Sequence, residues 1–174
     1  MLFFILPARL VNQLAIFLSY TSGIPPGLPS TLVPPIKTYV SVSDISLLSQ
    51  ALIILARLLE LSPMNTFPQI ERDLLADIYD IAHSPLVSGV ALDSILAFFA
   101  ALVQADRQIA THVVPSLVRS MDKADAAQAS AANVARCIAQ VVKSQPDIAA
   151  GTIAEFSKHL KVCDFKSFKK HKTL

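Results

Sequence analysis

The sequence contains few of the residues on which small β-folds and disulfide-linked folds depend. Its 174 residues include four glycines, no tryptophan and two cysteines. Tight turns draw heavily on glycine, so turn-rich β-folds are disfavoured, and two cysteines do not make a disulfide framework. Charged residues make up only 16% against 53% hydrophobic, which excludes a disordered chain. We therefore expect one all-α, intracellular protein in the cytoplasm, the nucleus or both.

Net charge is also low, but it is unevenly distributed. The formal charge of +2 gives no global field typical of a nucleic-acid binder, and we expect no nucleic-acid partner. Residues 1–43 carry no acid, residues 44–125 carry ten acids against five bases, and residues 126–174 carry eight bases against three acids. The middle of the chain is therefore acidic and its end is basic.

The first 31 residues form an apolar segment followed by a proline-rich stretch. Pro7, Arg9 and two amides interrupt the apolar run 1–20, whereas a membrane span needs about 20 mostly apolar residues. The run also lacks the positive start of a signal peptide. We expect either a short helix around Leu10–Tyr20 or a segment without a native partner, and a membrane is the less favoured alternative. Residues 23–35 have a linker composition that excludes helix.

Beyond this segment the pattern is helical throughout. Six helices are predicted, at about 44–61, 66–82, 88–105, 113–121, 126–143 and 147–161. Ser43 is the expected N-cap of the first and Thr66 that of the second, while Pro115 is expected in the first turn of the fourth. The first and third are apolar on almost all sides, which predicts that both are buried.

The last two helices are predicted to be amphipathic. Helix five is given a polar stripe made of Asn133, Arg136, Gln140 and Lys143. Cys137 lies in its apolar part and is expected to be a small core residue. Helix six is expected to carry Ile153, Phe156 and Leu160 on one face.

An internal period is visible between the first and fifth helices. The segment ALIILARLLELSP, ending at Pro63, resembles VARCIAQVVKSQP, ending at Pro146. The offset of 83 residues equals about two units of 40, and helix-pair periods of about 40–47 residues are typical of HEAT and armadillo arrays. The expected architecture is therefore a HEAT/armadillo-like solenoid of about three helix pairs. A compact six-helix bundle is the alternative.

A more specific resemblance begins at HSPLVSGVALDSILAFFAALV, residues 83–103. This stretch resembles the central HEAT repeats of the CAND family, the cullin-associated and neddylation-dissociated proteins, also called TATA-binding-protein-interacting proteins. Similar features are SPL at 84–86, FF at 98–99 and ALV at 101–103. The flanks LVPPI at 32–36 and ARCIA at 135–139 resemble the neighbouring repeats. The resemblance covers about residues 32–161.

The resemblance implies binding rather than catalysis. CAND proteins wrap unmodified cullins and act as exchange factors for cullin–RING (SCF) ubiquitin ligases. We expect residues 32–161 to be a central piece of such a scaffold, with cullin as its partner. Residues 1–31 and the basic tail 162–174 resemble nothing in the family, so the chain is expected to be a fragment or a truncated gene product, which includes a non-functional one. Uncovered apolar faces predict that the isolated chain self-associates.

Enzymatic motifs are absent from the sequence. No GxSxG, P-loop or HExxH pattern occurs, and His112 lies near Ser116 without an evident oxyanion element. His159 and Cys163 are spaced like two metal ligands on a helix, but two ligands do not close a zinc site. We expect no catalysis, cofactor, metal or small-molecule substrate, and we interpret the lysine-rich end as solvated surface.

The candidate partner-binding residues are Asp73, Asp77 and Asp80. They recur at i, i+4 and i+7, so one continuous helix would present all three on one face. In HEAT arrays the second helix of each pair usually lines the concave side. The three carboxylates are therefore predicted to form an acidic strip that meets a basic cullin surface, and the alternative is a solvated face.

Overall fold

The structure is a computed structural model in which residues 7–121, 128–154 and 157 are described. These residues are almost entirely helical, and no strand occurs among them. In chain order the helices are α1 (Ala8–Tyr20), α2 (Leu28–Lys37), α3 (Ile45–Leu61), α4 (Pro63–Asp73), α5 (Leu75–Ala82), α6 (Gly89–Ala105), α7 (Ala110–Met121) and α8 (Gln128–Ser144). The expected all-α class is confirmed.

The helices pack as two rows on one continuous core. Contacts in the first row join α1 to α3, α3 to α6 and α6 to α8. Contacts in the second row join α2 to α4 and α5 to α7. The α3–α6 contact is the most extensive, because both helices are apolar nearly all round and bury nine residues each. Both central helices are thus buried, as the sequence predicted.

The cap of α3 lies one residue later than expected. Asp44, not Ser43, is the N-cap, and its carboxylate accepts a hydrogen bond from the Leu47 amide at 3.0 Å. Ser43 instead contacts the Ser41 hydroxyl at 2.9 Å. Either residue type can cap a helix, and Asp44 is the one in extended conformation next to the first turn.

The prediction that residues 23–35 exclude helix is wrong. Helix α2 starts with Pro29 in its first turn and contains Pro34 and Pro35 further along. A proline inside a helix removes a bond to the carbonyl four residues earlier, here the carbonyls of Ser30 and Thr31. Both residues are exposed, so water can bind these oxygens. Burial of apolar α2 side chains then favours the helix.

Helices α4 and α7 tolerate proline in the same way. Pro68 frees the Met64 carbonyl and Pro115 frees the Thr111 carbonyl, and both of these residues are exposed. The sequence predicts Pro115 in the first turn of its helix. That prediction is wrong, because α7 already begins at Ala110. An exposed residue at the fourth preceding position is thus common to all the prolines inside these helices.

The second predicted helix, 66–82, is two helices. It begins earlier, at Pro63, and breaks at Leu74, which adopts φ −133° and ψ −29°. Thr66 is not its cap but a buried residue whose hydroxyl donates to the Leu58 and Ser62 carbonyls at 3.0 and 2.7 Å. Leu74 is only 1% exposed, so burial of its side chain accompanies the break.

Helix α8 departs from the predicted polar stripe at one position. Arg136 and Lys143 are exposed, but Asn133 is buried. Cys137 is fully buried and confirms its expected core position. The following segment has a 3-10 turn at Pro146–Ile148 and helical residues at 149–154, where Ile153 is exposed. Phe156 and Leu160 lie outside the described residues.

The apolar N-terminal run does form a helix with a partner inside the chain. Helix α1 buries Val11, Ala15 and Leu18 against the core and packs on α3. Arg57 of α3 donates to the Leu18 and Thr21 carbonyls at 2.9 and 2.8 Å. The guanidinium therefore caps the C-terminal end of α1, where helical carbonyls lack partners.

Candidate partner-binding surface

The three candidate aspartates lie at and beyond the α4–α5 break. Asp73 is the last residue of α4, whereas Asp77 and Asp80 belong to α5. The spacing predicts that all three lie on one continuous helix. This prediction is wrong, because the helix breaks between Asp73 and Asp77. Asp77 and Asp80 are exposed and Asp73 is half-buried. All three carboxylates belong to the second row of helices.

The Asp73 carboxylate is already neutralised within the chain. Arg72 donates two hydrogen bonds to its two oxygens, at 2.8 and 2.7 Å. This forked contact lowers the pKa of Asp73 and raises that of Arg72. Fork-to-carboxylate pairing is the strongest geometry available to an exposed arginine, so Asp73 presents little free charge to a partner.

Lys37 occupies the space beside the break and partly screens Asp77. Its ammonium group donates to the Asp73 carbonyl at 2.6 Å and lies 3.9 Å from the Asp77 carboxylate. A cation at the last carbonyl of α4 complements the helix dipole. Both side chains of the Lys37–Asp77 pair are about half exposed, so the pair stabilises the fold little.

Asp80 is the carboxylate with the fewest cationic neighbours. Its charge acts on His83, one turn later, and opposes the lowering of the His83 pKa that burial causes. The burial effect is the larger one, so the pKa of His83 stays below its usual range. A neutral imidazole does not cancel the Asp80 charge. Asp80 and Asp77, which Lys37 only partly screens, together form the exposed part of the acidic strip.

The loop after α5 is held by polar groups that sequence reasoning missed. Asn133 of α8 donates to the Val87 carbonyl at 2.8 Å and to the Ser84 carbonyl at 3.4 Å. Ser130 donates to the His83 carbonyl. These side chains bind backbone carbonyls of the segment 83–87. In the sequence, the spacing of Ser130 and Asn133 on one face of α8 could have indicated this contact. The amphipathic pattern of the helix instead predicts that Asn133 faces solvent.

Aromatic packing joins α5 to α6. Tyr79 stacks on Phe99 with ring centroids 6.1 Å apart, and Phe99 meets Phe98 edge-on at 5.6 Å. Burial raises the pKa of Tyr79 to about 12, although a hydrogen bond with Ser116 opposes the shift. Offset and edge-on ring pairs stabilise beyond their buried area. The ring contacts therefore join α5, which carries Asp77 and Asp80, to the buried part of α6.

Two grooves lie on the described surface. One, of about 310 Å³, lies between α7 and residues 147–152 and includes Thr111, Asp147 and Thr152 in an otherwise apolar lining. The other, of about 300 Å³, lies between α1 and α2 and is lined by Leu10, Gln13, Leu14, Phe17 and Leu32. Neither groove brings together the groups of a catalytic dyad or triad.

No group of three or more His, Cys, Asp or Glu side chains that could hold a metal ion occurs within 7–121, 128–154 and 157. His159, Cys163 and the basic tail 162–174 lie outside the described part of the chain. His112 is exposed on α7, one turn before Ser116.

In the part of the chain that the structure describes, no single helix has both the length and the hydropathy that a bilayer crossing requires. Residues Gly89–Ala105 and Arg107–Arg119 reach those limits only as a pair, with a bend of 119° between them.

Comparison with known proteins gives no family assignment. No protein-family model matches the chain, and no curated protein matches it significantly.

Proposed function

We propose that the chain is a non-enzymatic helical scaffold that binds a cullin, in the manner of the central repeats of the CAND family. The observation that carries the proposal is the exposure of Asp77 and Asp80, two of the three carboxylates of the acidic strip, on the helix that Tyr79 packs against Phe99. On this proposal the scaffold influences assembly of cullin–RING ligases in the cytoplasm, the nucleus or both.

The order of helix contacts supports the solenoid part of the proposal. Each first-row helix contacts the next one along the chain, from α1 to α8, and second-row helices do the same through α2, α4, α5 and α7. In repeat proteins each unit contacts mainly its neighbours, which gives this sequential pattern. On this proposal α3 with α4–α5 forms the central HEAT-like unit. Helices α1 and α2 extend the array on one side by packing on α3 and α4, and α6 and α7 extend it on the other and both contact α8.

The chemistry of the strip suits an extended basic partner. Asp77 and Asp80 are three residues apart on α5 and exposed to solvent. Charges on the rim of an interface act mainly on the encounter rate and its salt dependence. A basic cullin surface would therefore associate faster with the strip intact, without a large change in final affinity.

Association kinetics with an unmodified cullin test this role. We expect Asp77→Asn/Asp80→Asn to slow association severalfold at low salt and to flatten its salt dependence. Asp73→Asn should have a smaller effect, because Arg72 already binds that carboxylate. The melting temperature of the double variant should barely change, since both of its replaced carboxylates are exposed to solvent.

The matched control is Asp93→Asn/Asp147→Asn. Both residues are exposed acids outside the strip, on α6 and in the turn before residue 149, so this variant changes the net charge equally. Equal slowing by the two double variants would reduce the effect to overall charge and overturn the strip. Failure of the parent chain to bind cullin at all would overturn the proposed function.

A further inference from the structure

Helix α1 has a second apolar face that the core does not use. While Val11, Ala15 and Leu18 are buried, Leu10 and Phe17 remain 43% and 61% exposed, and Ile16 and Tyr20 remain 53% and 89% exposed. Leu10 and Phe17 also line the groove between α1 and α2. Helix α1 covers α3 and is itself uncovered on this outer face.

The outer face is self-complementary about its centre. Leu10 and Phe17 are seven residues apart and therefore lie in one row along the helix. Arg9 and Tyr20, eleven residues apart, lie in the adjacent row. A two-fold axis near Gln13 would place Leu10 against Phe17 of a second, antiparallel α1, and Arg9 near Tyr20 of that copy.

We propose that this face, residues 9–20 of α1 with the α1–α2 groove, binds a second copy of the chain through antiparallel pairing of the two α1 helices. A closed two-fold contact is the commonest way in which identical chains associate, and each copy then offers the same patch. This inference does not depend on the proposed cullin binding.

Charge and area both favour a second copy as the occupant. Arg9 is the only charged residue of α1, so antiparallel pairing brings no rows of like charge together. An arginine placed over a tyrosine ring is also attracted to it. The exposed parts of Phe17 and Tyr20 in two copies contribute about 450–750 Å². The exposed parts of Leu10 and Ile16 raise the buried area further, toward the ~1,200 Å² at which specific interfaces begin. Such an area predicts a weak, reversible dimer.

A lipid surface is the competing occupant and fits the helix less well. Helices that lie on membranes carry lysines and arginines on the face opposite to their apolar one. In α1 the opposite face is Val11, Ala15 and Leu18, which is buried in the protein. A single arginine is left to meet lipid headgroups.

Sedimentation of the full chain tests the pairing. The parent should show a monomer–dimer equilibrium on the order of 10–100 µM, as expected for a small interface. Phe17→Ser should remain monomeric at tenfold higher concentration with an unchanged melting temperature, because Phe17 is mostly exposed. The control Met64→Ser removes another exposed apolar side chain, on α4, and should dimerise like the parent.

Cross-linking then fixes the geometry. In a Cys163→Ser background, Gln13→Cys lies at the proposed axis and should form an intermolecular disulfide on oxidation. Asn12→Cys is equally exposed but turned away from the axis, and should not.

Three outcomes would overturn the proposal. One is a parent chain that stays monomeric throughout the concentration range. Another is equal cross-linking of both cysteine variants. The third is a monomer that co-sediments with phosphatidylcholine–phosphatidylserine vesicles unless Phe17 is replaced, which would assign the face to lipid.

Discussion

Asn133 illustrates how one buried amide can organise a loop. Its two hydrogen bonds reach the backbone of Ser84 and Val87, and Val87 is itself buried. A buried carbonyl left without a donor costs far more than a solvated one. The polar side chain therefore stabilises the contact between α8 and the loop rather than facing water.

Replacing this amide should be costly for its size. We expect Asn133→Ala to lower the free energy of unfolding by about 1–3 kcal/mol, because the Val87 carbonyl loses its donor. Arg136→Ala, on the exposed side of the same helix, should change it by less than about 0.5 kcal/mol. Urea denaturation measures both values, and similar losses in the two variants would contradict the proposed contact.

One buried and one half-buried acidic group, the Cys137 thiol and the Tyr79 hydroxyl, predict a loss of stability at high pH. Burial raises the pKa of the Cys137 thiol to about 12 and that of Tyr79 to about 12, from usual values near 9 and 10. Each group binds its proton more tightly in the folded state, so its contribution is complete below the usual value and disappears as pH rises toward 12. Unfolding free energy should fall from about pH 9 upward.

The matched variant for this pH effect is Tyr79→Phe, which keeps the ring stacked on Phe99 and removes one ionisation. Its stability should fall less steeply than that of the parent between pH 10 and 12. Parallel pH curves for the two proteins would rule out Tyr79 as a source of the effect.

At the scale of elements, Arg57 connects α1 to the rest of the fold. The contact joins a side chain of α3 to the last carbonyls of α1, and Glu60 holds the same guanidinium at 2.6 Å. No composition rule assigns this role, because the partners are backbone atoms about 36–39 residues away in sequence.

Removing the guanidinium should loosen α1. In Arg57→Met, trypsin should cleave after Arg9 faster than in the parent, because the end of α1 loses two hydrogen bonds. Arg72→Met removes only an exposed contact to Asp73 and should leave the cleavage rate at Arg9 unchanged. Unaltered cleavage in Arg57→Met would show that apolar packing alone holds α1.

The centre of α6 should be the most sensitive element. Phe98 and Phe99 are both fully buried, and replacing a buried phenylalanine by alanine costs about 3–5 kcal/mol. We expect each single variant to lower the melting temperature strongly, whereas Val90→Ala, at a site 71% exposed, should not. Calorimetry compares the three, and small shifts for both phenylalanines would contradict a central α6.

Over the whole molecule, the periodicity of apolar residues predicted the regular helices well, but it did not predict the irregular features of the fold. The apolar pattern of 88–105 and 126–143 gave helix bounds that α6 and α8 match within about two residues, because side-chain burial follows helical spacing. Helix α2 and the break at Leu74 were missed, since they depend on solvent access to specific carbonyls and on tertiary burial. The aspartates were found by spacing, but their pairing with Arg72 and Lys37 required coordinates.

Prolines beyond the first helical turn occur in only one of the two rows of helices. The first-row helices α1, α3, α6 and α8 contain no proline, while α2, α4 and α7 in the second row each contain at least one beyond the first turn. Each such residue deletes a rung of the hydrogen-bond ladder. We therefore expect α2, α4 and α7 to bend more readily than the first-row helices, which places the more deformable helices on the side of the molecule that carries the acidic strip.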